Sequence, residues 1–418
     1  MSLNFLFRQS DIPEQYRSNF INLYLDIAWF GVLSGTAVSF LNVYATRLGA
    51  SGLQVGLLTA TSAVINLFLA IPAGHWISKR HTGKAVFWSS VIFRLGYFLW
   101  IPLPWIFNEQ GQIWALIILT FLMAIPLTPL GVGFNALFAE AVPIQHRARV
   151  AGMRNITFAI AYIFASLIAG VILNTTPFTG GYQIIFAIGA FGGAMSSYHL
   201  FHIKPLLDVT RAIQSSPLPA STSKPLSLRS IAAALRLDIW KSNFRKVLVA
   251  LFLFHFAHFL SNPLYPLFYV RVLNLNDNHL GIGTAFYYLS VLLASTQLGR
   301  IVHRFGNKRI TGWGVAGMAS YPIMLAFAQN VWQFYGLSFL GGFLFALVNG
   351  AYANYMLESI PPDDRPAHLA WYTIIFNFAI LISSLLGPIA ADAIGLIAAL
   401  VIFGLARFLA GLYLLKWG

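Results

Sequence analysis

Twelve apolar runs, each long enough to cross a bilayer as a helix, leave this chain almost no choice of solvent. A hydrocarbon core takes about 20 consecutive apolar residues per helix. Such runs lie at roughly 20–45, 53–77, 85–107, 113–141, 150–173 and 182–203. They resume at roughly 245–270, 281–302, 309–329, 332–358, 367–391 and 394–415. In lipid every backbone N–H and C=O must be satisfied within the segment, so the runs are read as helices and the chain as an all-α integral membrane protein. Only 9% of its 418 residues are charged and 58% are apolar, which excludes an ordinary soluble fold.

The runs fall into two sets of six, and the sequence repeats accordingly. Glu140-Ala-Val-Pro143-Ile-Gln-His-Arg147 returns 218 residues later as Glu358-Ser-Ile-Pro361-Pro-Asp-Asp-Arg365. In each copy proline stops one helix and arginine marks the water boundary before the next. Arg47 pairs with Arg271, Gly56 with Gly281, Gly74 with Gly299 and Trp114 with Trp332, all in the same order. The offset falls from 225 to 218 between Gly74 and Trp114, which places an insertion near Ile101–Gln112. The expected organisation is therefore an N-terminal six-helix bundle (1–203), a cytoplasmic linker (204–243) and a C-terminal six-helix bundle (244–418). Six helices per half give both halves the same orientation, so these are parallel repeats. Gly31-x-x-x-Gly35 and Gly189-x-x-x-Gly193 read as close-packing sites between helices.

Charge sets the topology. With the N-terminus inside, 22 of the 26 lysines and arginines fall on inner loops or tails, Arg147, Arg149 and Arg154 among them. That bias puts both termini in the cytoplasm of a cell or inner membrane. Arg94 and Arg407 lie within helices, two to three turns from cytoplasmic ends, and are read as interface anchors or paired groups. The net charge of +14 is scattered over separate loops, so it reads as a topology signal and not as a nucleic-acid surface. The absence of cysteine excludes disulfides, thiolate metal sites and cysteine nucleophiles. The first 18 residues are polar and are read as carrying no cleavable signal. Ser215–Pro225 has linker composition, and Leu228–Lys246 reads either as a basic amphipathic surface helix or as coil.

Two basic turns follow the second helix of each half. They read Gly74-His-Trp-Ile-Ser78-Lys79-Arg80-His-Thr-Gly83-Lys84 and Gly299-Arg-Ile-Val-His303-Arg304-Phe-Gly306-Asn-Lys308-Arg309. Here the chain resembles the major facilitator superfamily, whose signature at this loop is Gly-x-x-x-Asp-Arg-x-Gly-Arg-Arg or close to it. The Glu-x-x-Pro-x-x-x-Arg turns are similar to that family's loops after helices four and ten. The resemblance covers roughly 20–416. It implies twelve helices in two bundles that rock about a central site lined by helices one, four, seven and ten. It also implies gating at Gly74, Lys79, Arg80, Glu140, Arg147, Gly299, His303, Arg304, Glu358 and Arg365. This sequence departs from the pattern in carrying Ser78 and His303 where the family has its loop aspartate. It also has no arginine within Leu116–Ala139, and helix five offers only Gly170 where the family's antiporters carry a glycine–proline motif.

Helix seven carries the sharpest polar pattern: His255, His258, Asn262, Tyr265 and Tyr269, at steps of three and four and hence on one face. Such a stripe lines a water-filled cavity or bonds to a neighbouring helix. Smaller sets lie on helix one (Asn22, Asp26, Trp29), helix four (Thr128, Gly131, Asn135) and helix ten (Asn349, Tyr352, Tyr355). The candidate substrate cavity is thus Asp26, Trp29, Asn135, His255, His258, Asn262, Tyr265, Asn349 and Tyr352. Asp26, a carboxylate inside an apolar helix, is a candidate for proton or cation coupling or for an ion pair with Arg94. His255 and His258 are coupling candidates of the same kind, or hydrogen-bonded structural groups. The expected function is secondary active transport or facilitated passage of a small solute by alternating access, without enzyme activity. Rival readings are a polytopic membrane enzyme acting on lipid, or a sensor or scaffold with this fold. The partners expected are the solute, a proton or cation and membrane lipids, with no nucleic acid, metal or cofactor; a monomer is the expected state.

Overall fold

The computed structural model describes residues 14–205, 236–361 and 364–418. Twelve rods follow the apolar runs. The first half holds α1 (Glu14–Leu33, continued through Ser34–Val38 into Ser39–Arg47), α2 (Gly52–Ser78), α3 (Thr82–Trp100), α4 (Glu109–Ala141), α5 (Arg147–Thr175) and α6 (Phe178–Phe201). The second holds α7 (Phe244–Ser261 and Leu264–Arg271), α8 (Asp277–Phe305), α9 (Asn307–Met318 and Ser320–Ala326), α10 (Val331–Glu358), α11 (Arg365–Ile394) and α12 (Leu396–Trp417). Among the described residues, nine helices are long and apolar enough to cross a membrane by length and composition. The remaining rods, α3, α8 and α9, occupy their places in the two sets of six. Large apolar side chains such as Phe68, Ile71, Trp105, Phe164, Trp332 and Leu409 stand exposed on the outer surface. Water would penalise that surface, and lipid does not.

Local sequence explains the interruptions. Pro102 and Pro104 end the third run at Trp100, so the expected 85–107 helix becomes α3 plus a single turn at Leu103–Ile106. Pro263 lacks an N–H, and α7 breaks between Ser261 and Leu264. Within α1, Ser34–Val38 winds as a π-helical stretch, which re-phases the face that follows. Gly31 and Gly35 of α1 lie against Ala161 and the Tyr162 carbonyl of α5, and Gly189 lies against Ala37, as the small-residue spacing predicts. The linker expectation at 204–243 falls largely on 206–235, outside the described residues. Where description resumes, Leu237–Lys241 is a short 3-10 turn with Ile239 buried, and α7 begins at Phe244, so this part of Leu228–Lys246 is no continuous surface helix.

The repeat is visible in the packing. In the first half α1 lies against α5 and α6, α2 against α4, and α3 against α4 and α6. In the second α7 lies against α11 and α12, α8 against α10, and α9 against α10 and α12, the same pattern six helices on. Between the halves, α2 meets α11 and α5 meets α8, which are again equivalent pairs. Gly56 sits where an added Cβ would lie 2.2 Å from the Ser384 carbonyl of α11. Gly281 sits where it would lie 2.5 Å from the Ser166 carbonyl of α5. Ser166 and Ser384 differ by 218, like the octads. Two equivalent crossings thus bring the halves into backbone contact near the Arg47/Arg271 end.

Candidate functional site: a cavity beneath an arginine clasp

At that end the halves are tied by polar contacts. Arg47 Nε donates to Asp277 Oδ1 (2.9 Å) and Nη2 to the Leu275 carbonyl (2.7 Å). The Tyr182 hydroxyl donates to the same Asp277 oxygen at 3.1 Å. In the equivalent place Arg271 donates to the Ala50 carbonyl. Ala50 and Leu275 are repeat partners at an offset of 225, so each arginine binds the loop of the other half. Both loops then start a helix with a capping residue, Ser51 for α2 and Asn276 for α8. Asp277 adds a charge on one side only, where the other half has Gly52.

The opposite end, where α1 begins, α12 ends and Glu140 and Glu358 lie, is built differently. Thr82 Oγ1 donates to Glu140 (2.9 Å), and Asn307 Nδ2 donates to Glu358 (2.7 Å). Each octad glutamate therefore ties the start of the third helix of its own half. Arg147 donates to the Val142 and Ala139 carbonyls and closes the end of α4. Lys79, Arg80, His303, Arg304 and Arg365 are exposed, and a Cβ at Gly74 or Gly299 would meet nothing within 4 Å.

Directly beneath the clasp lies a cavity of about 390 Å³. Ser39, Phe40 and Val43 of α1 and Tyr162 of α5 form one wall. His258, Asn262, Tyr265 and Tyr269 of α7 face them, with Thr284, Tyr287 and Tyr288 of α8, Tyr321 of α9, Ser338 of α10 and Arg407 of α12. Tyr162 stacks on Tyr288 across the halves at 3.9 Å between ring centroids, and its hydroxyl bonds Ser39 Oγ at 2.8 Å. Tyr269 and Tyr321 share a short hydroxyl–hydroxyl bond, and Tyr265 stands edge-on to Tyr321. Such a lining of rings with a few convergent polar groups is what small-molecule sites offer.

The polar stripe of α7 is thus divided. His258, Asn262, Tyr265 and Tyr269 line the cavity, whereas His255 is buried and bonds the Tyr372 hydroxyl of α11 (3.2 Å). Tyr352 packs edge-on against His255, on the same side. The sets expected on the other helices stand elsewhere. Asp26 is buried among α3, α5 and α6. It accepts from Arg154 Nη1 (3.1 Å) and Ser196 Oγ (2.5 Å), with Arg94 Nη2 at 3.8 Å. Trp29 stands edge-on to Phe191 of α6, and Asn135 and Asn349 are exposed on α4 and α10 outside the cavity lining. Thr128 bonds Asn66 within the first half.

Two arginines, Arg154 and Arg407, depart from the sequence reading, and a third bears out one of its alternatives. Arg154, assigned to an inner loop, is buried inside α5 because Asp26 gives its charge a partner. Arg94 bears out the expected pairing with Asp26 and not the anchor alternative: it lies 3.8 Å from the same carboxylate in the interior and bonds Ser90 and Ser197. Arg407 is only 1% exposed, and among the described residues no carboxylate lies within ion-pair distance of it. It donates to the carbonyls of Met318 (3.2 Å) and His258 (3.0 Å) and lies 3.4 Å from the Tyr265 hydroxyl. The α8 tyrosines, Tyr321 and Ser338 escaped the sequence reading. Their signal, a Tyr-Tyr pair and a serine amid apolar residues, is common in any membrane helix.

Known proteins share this architecture. The sequence model of the Major Facilitator Superfamily matches residues 27–276 and 247–417. The cis,cis-muconate transport protein of Acinetobacter baylyi is 24% identical over 300 residues, covering 70% of each chain. A multidrug resistance protein MdtG of Proteus mirabilis is 32% identical over 166 residues, 38% of this chain and 41% of that protein. Among solved structures, a D-xylose-proton symporter superposes with a TM-score of 0.70 at 18% identity, covering 96% of this chain and 97% of the other. The nucleoside transporter NupG superposes at 0.68 and 13% identity, with 97% and 100% covered. At those identities the structures speak for the fold alone. With the family model spanning both halves and the repeat visible helix by helix, this chain belongs to the Major Facilitator Superfamily.

Proposed function

We propose that this chain carries a small solute across the membrane by alternating access, with the cavity beneath the Arg47/Arg271 clasp as its binding site. The observation that carries this reading is the pairing of a ring- and hydroxyl-lined cavity with a polar clasp that ties the halves at the end above it. A bound solute there would be sealed from one side by the clasp and released on the other. The halves 1–203 and 244–418 would rock as units, with 204–243 as the connection and the termini in the cytoplasm. The octad residues and the basic turns at Gly74–Lys84 and Gly299–Arg309 would meet when the opposite end closes. His258, Asn262 and Tyr265 are the site residues on α7. A proton or cation coupled to the cycle would act at Asp26, His255 or His258, and the carrier would work as a monomer in contact with lipid. Relatives bearing names of a muconate transport protein and of multidrug resistance proteins support a solute carrier without choosing the solute.

Distance measurement between spin labels tests this directly, because the chain has no native cysteine. One labelled pair, Glu109→Cys with Gln329→Cys, reports the clasp end. Another, Lys79→Cys with Arg304→Cys, reports the terminal end. Alternating access expects two populations in which one distance grows as the other shrinks. Fixed distances at both ends, in every condition that permits solute flux, would sink the reading.

A further inference from the structure

Among the described residues Arg407 is a charge without a counter-charge. It is 1% exposed, lies within a helix that spans the hydrophobic core and lines the cavity. Among the described residues no carboxylate lies within ion-pair distance of it, unlike Arg94 and Arg154, which share Asp26. No aspartate or glutamate lines the cavity at all. Its guanidinium is held by backbone carbonyls of α7 and α9, while its Nε has no hydrogen-bond partner. The Nδ1 of His258, beside it on the cavity wall, is likewise buried and unpartnered. An isolated buried cation is costly in a membrane protein and marks a functional site. The fixed fork of a guanidinium suits a carboxylate, which it binds through two parallel hydrogen bonds.

The remaining lining sets the body of the ligand. Tyr265, Tyr269, Tyr287, Tyr321, Phe334 and Phe345 present ring faces and edges around the same space. These accept a flat apolar body, and the tyrosine hydroxyls add donors to an anionic end. We propose that the cavity takes an organic anion, a carboxylate borne on a flat ring or conjugated body, with Arg407 as its charge partner. This rests on the reading of the cavity as the solute site and names the chemical class of that solute.

The test compares three probes of nearly one shape on the purified full chain in nanodiscs: benzoate, benzamide and benzylamine. Binding is read by calorimetry on the wild type, on Arg407→Gln, on Arg407→Lys and on Thr284→Trp, which fills the cavity. The expected order is benzoate ahead of benzamide by about tenfold or more, the scale of one charge-assisted bond, with benzylamine weakest. Arg407→Gln should remove that preference and Arg407→Lys restore part of it. Should Arg407→Gln fail to fold, the order of the three probes on the wild type still decides. Benzamide or benzylamine binding as well as benzoate, and abolished by Thr284→Trp, would overturn the anion while leaving the cavity as the site. Benzoate binding that ignores Thr284→Trp would overturn the site itself. No benzoate binding at millimolar concentration would overturn the proposed class.

Discussion

Arg47 Nε donates to Asp277 Oδ1 at 2.9 Å, joining residues 230 positions apart across the two halves. Both side chains are mostly buried, at 21% and 10% exposed, so the pair is weakly screened. Asp277→Asn keeps the shape and removes the charge, and the expected loss is about 1.5–3 kcal/mol of clasp closure. The clasp-end spin-label distance should then gain a longer population. Arg271→Ala removes a bond to a neutral carbonyl in the equivalent place and should shift the same distribution less. An Asp277→Asn distribution identical to wild type would show that apolar packing alone holds this end.

The glycine crossings give a second route to the same end. An alanine at Gly56 would put its Cβ 2.2 Å from the Ser384 carbonyl, and one at Gly281 would meet the Ser166 carbonyl at 2.5 Å. Backbone cannot swing aside as a flexible side chain can, so the helices must separate. Each substitution is expected to weaken closure by about 1–3 kcal/mol, the range for overpacking a fitted contact. Because the crossings are repeat partners, both variants should lengthen the clasp-end distance. An effect at one position alone would break the functional equivalence that the repeat implies.

The fold was legible because its signals are redundant. Apolar length marks the helices, and a repeat at offsets of 218 to 225 is hard to produce by chance. The spacing of His258, Asn262 and Tyr265 put them on one helix face, and in the structure that face lines the cavity. The opposing walls were not legible, since a period of 3.6 fixes which residues share a face but not which neighbour that face meets. Asp26 and Arg154 look like separate charges 128 residues apart until α1 and α5 are laid together. Arg407 read as an anchor or a paired group because sequence gives depth along a helix and not rotation about it. The helix-four set was expected in the cavity on resemblance. The cavity lies mainly within the second half, with α1 and α5 supplying the far wall.

Acidification should weaken the contact between Arg236 and Asp364 at the start of α11. Arg236 binds Asp364 (2.7 Å) and Asp238 (2.9 Å), and His368 Nδ1 faces Asp364 at 3.4 Å. Hydrogen bonds from Arg236 hold both carboxyls below the ordinary value of about 3.8. A carboxyl depressed in the folded state contributes stability that is present above its unfolded pKa and lost as pH falls through its folded one. The melting difference between wild type and Arg236→Gln should therefore be constant near neutrality and shrink below about pH 3.8. These groups are open to solvent in part or whole, so the difference should be small and should fall with added salt. A difference that grows on acidification would contradict the assignment.

The Asp26 cluster should be the most sensitive point in the first half. One carboxylate serves two buried guanidinium groups, Arg154 directly and Arg94 at 3.8 Å. Removing one partner of a buried pair costs about 3–5 kcal/mol, because the other charge is left uncompensated. Asp26→Asn strands both arginines and should lower the melting temperature sharply or abolish folded yield. Arg94→Met should cost less, since Arg154 keeps its bond to Asp26 and its carbonyl contact at Leu23. The triple change Asp26→Asn, Arg94→Met and Arg154→Met removes every charge at once and should recover much of the stability. If Asp26→Asn melts like wild type but loses solute-driven proton uptake, the carboxylate is a coupling group and not a keystone of the bundle.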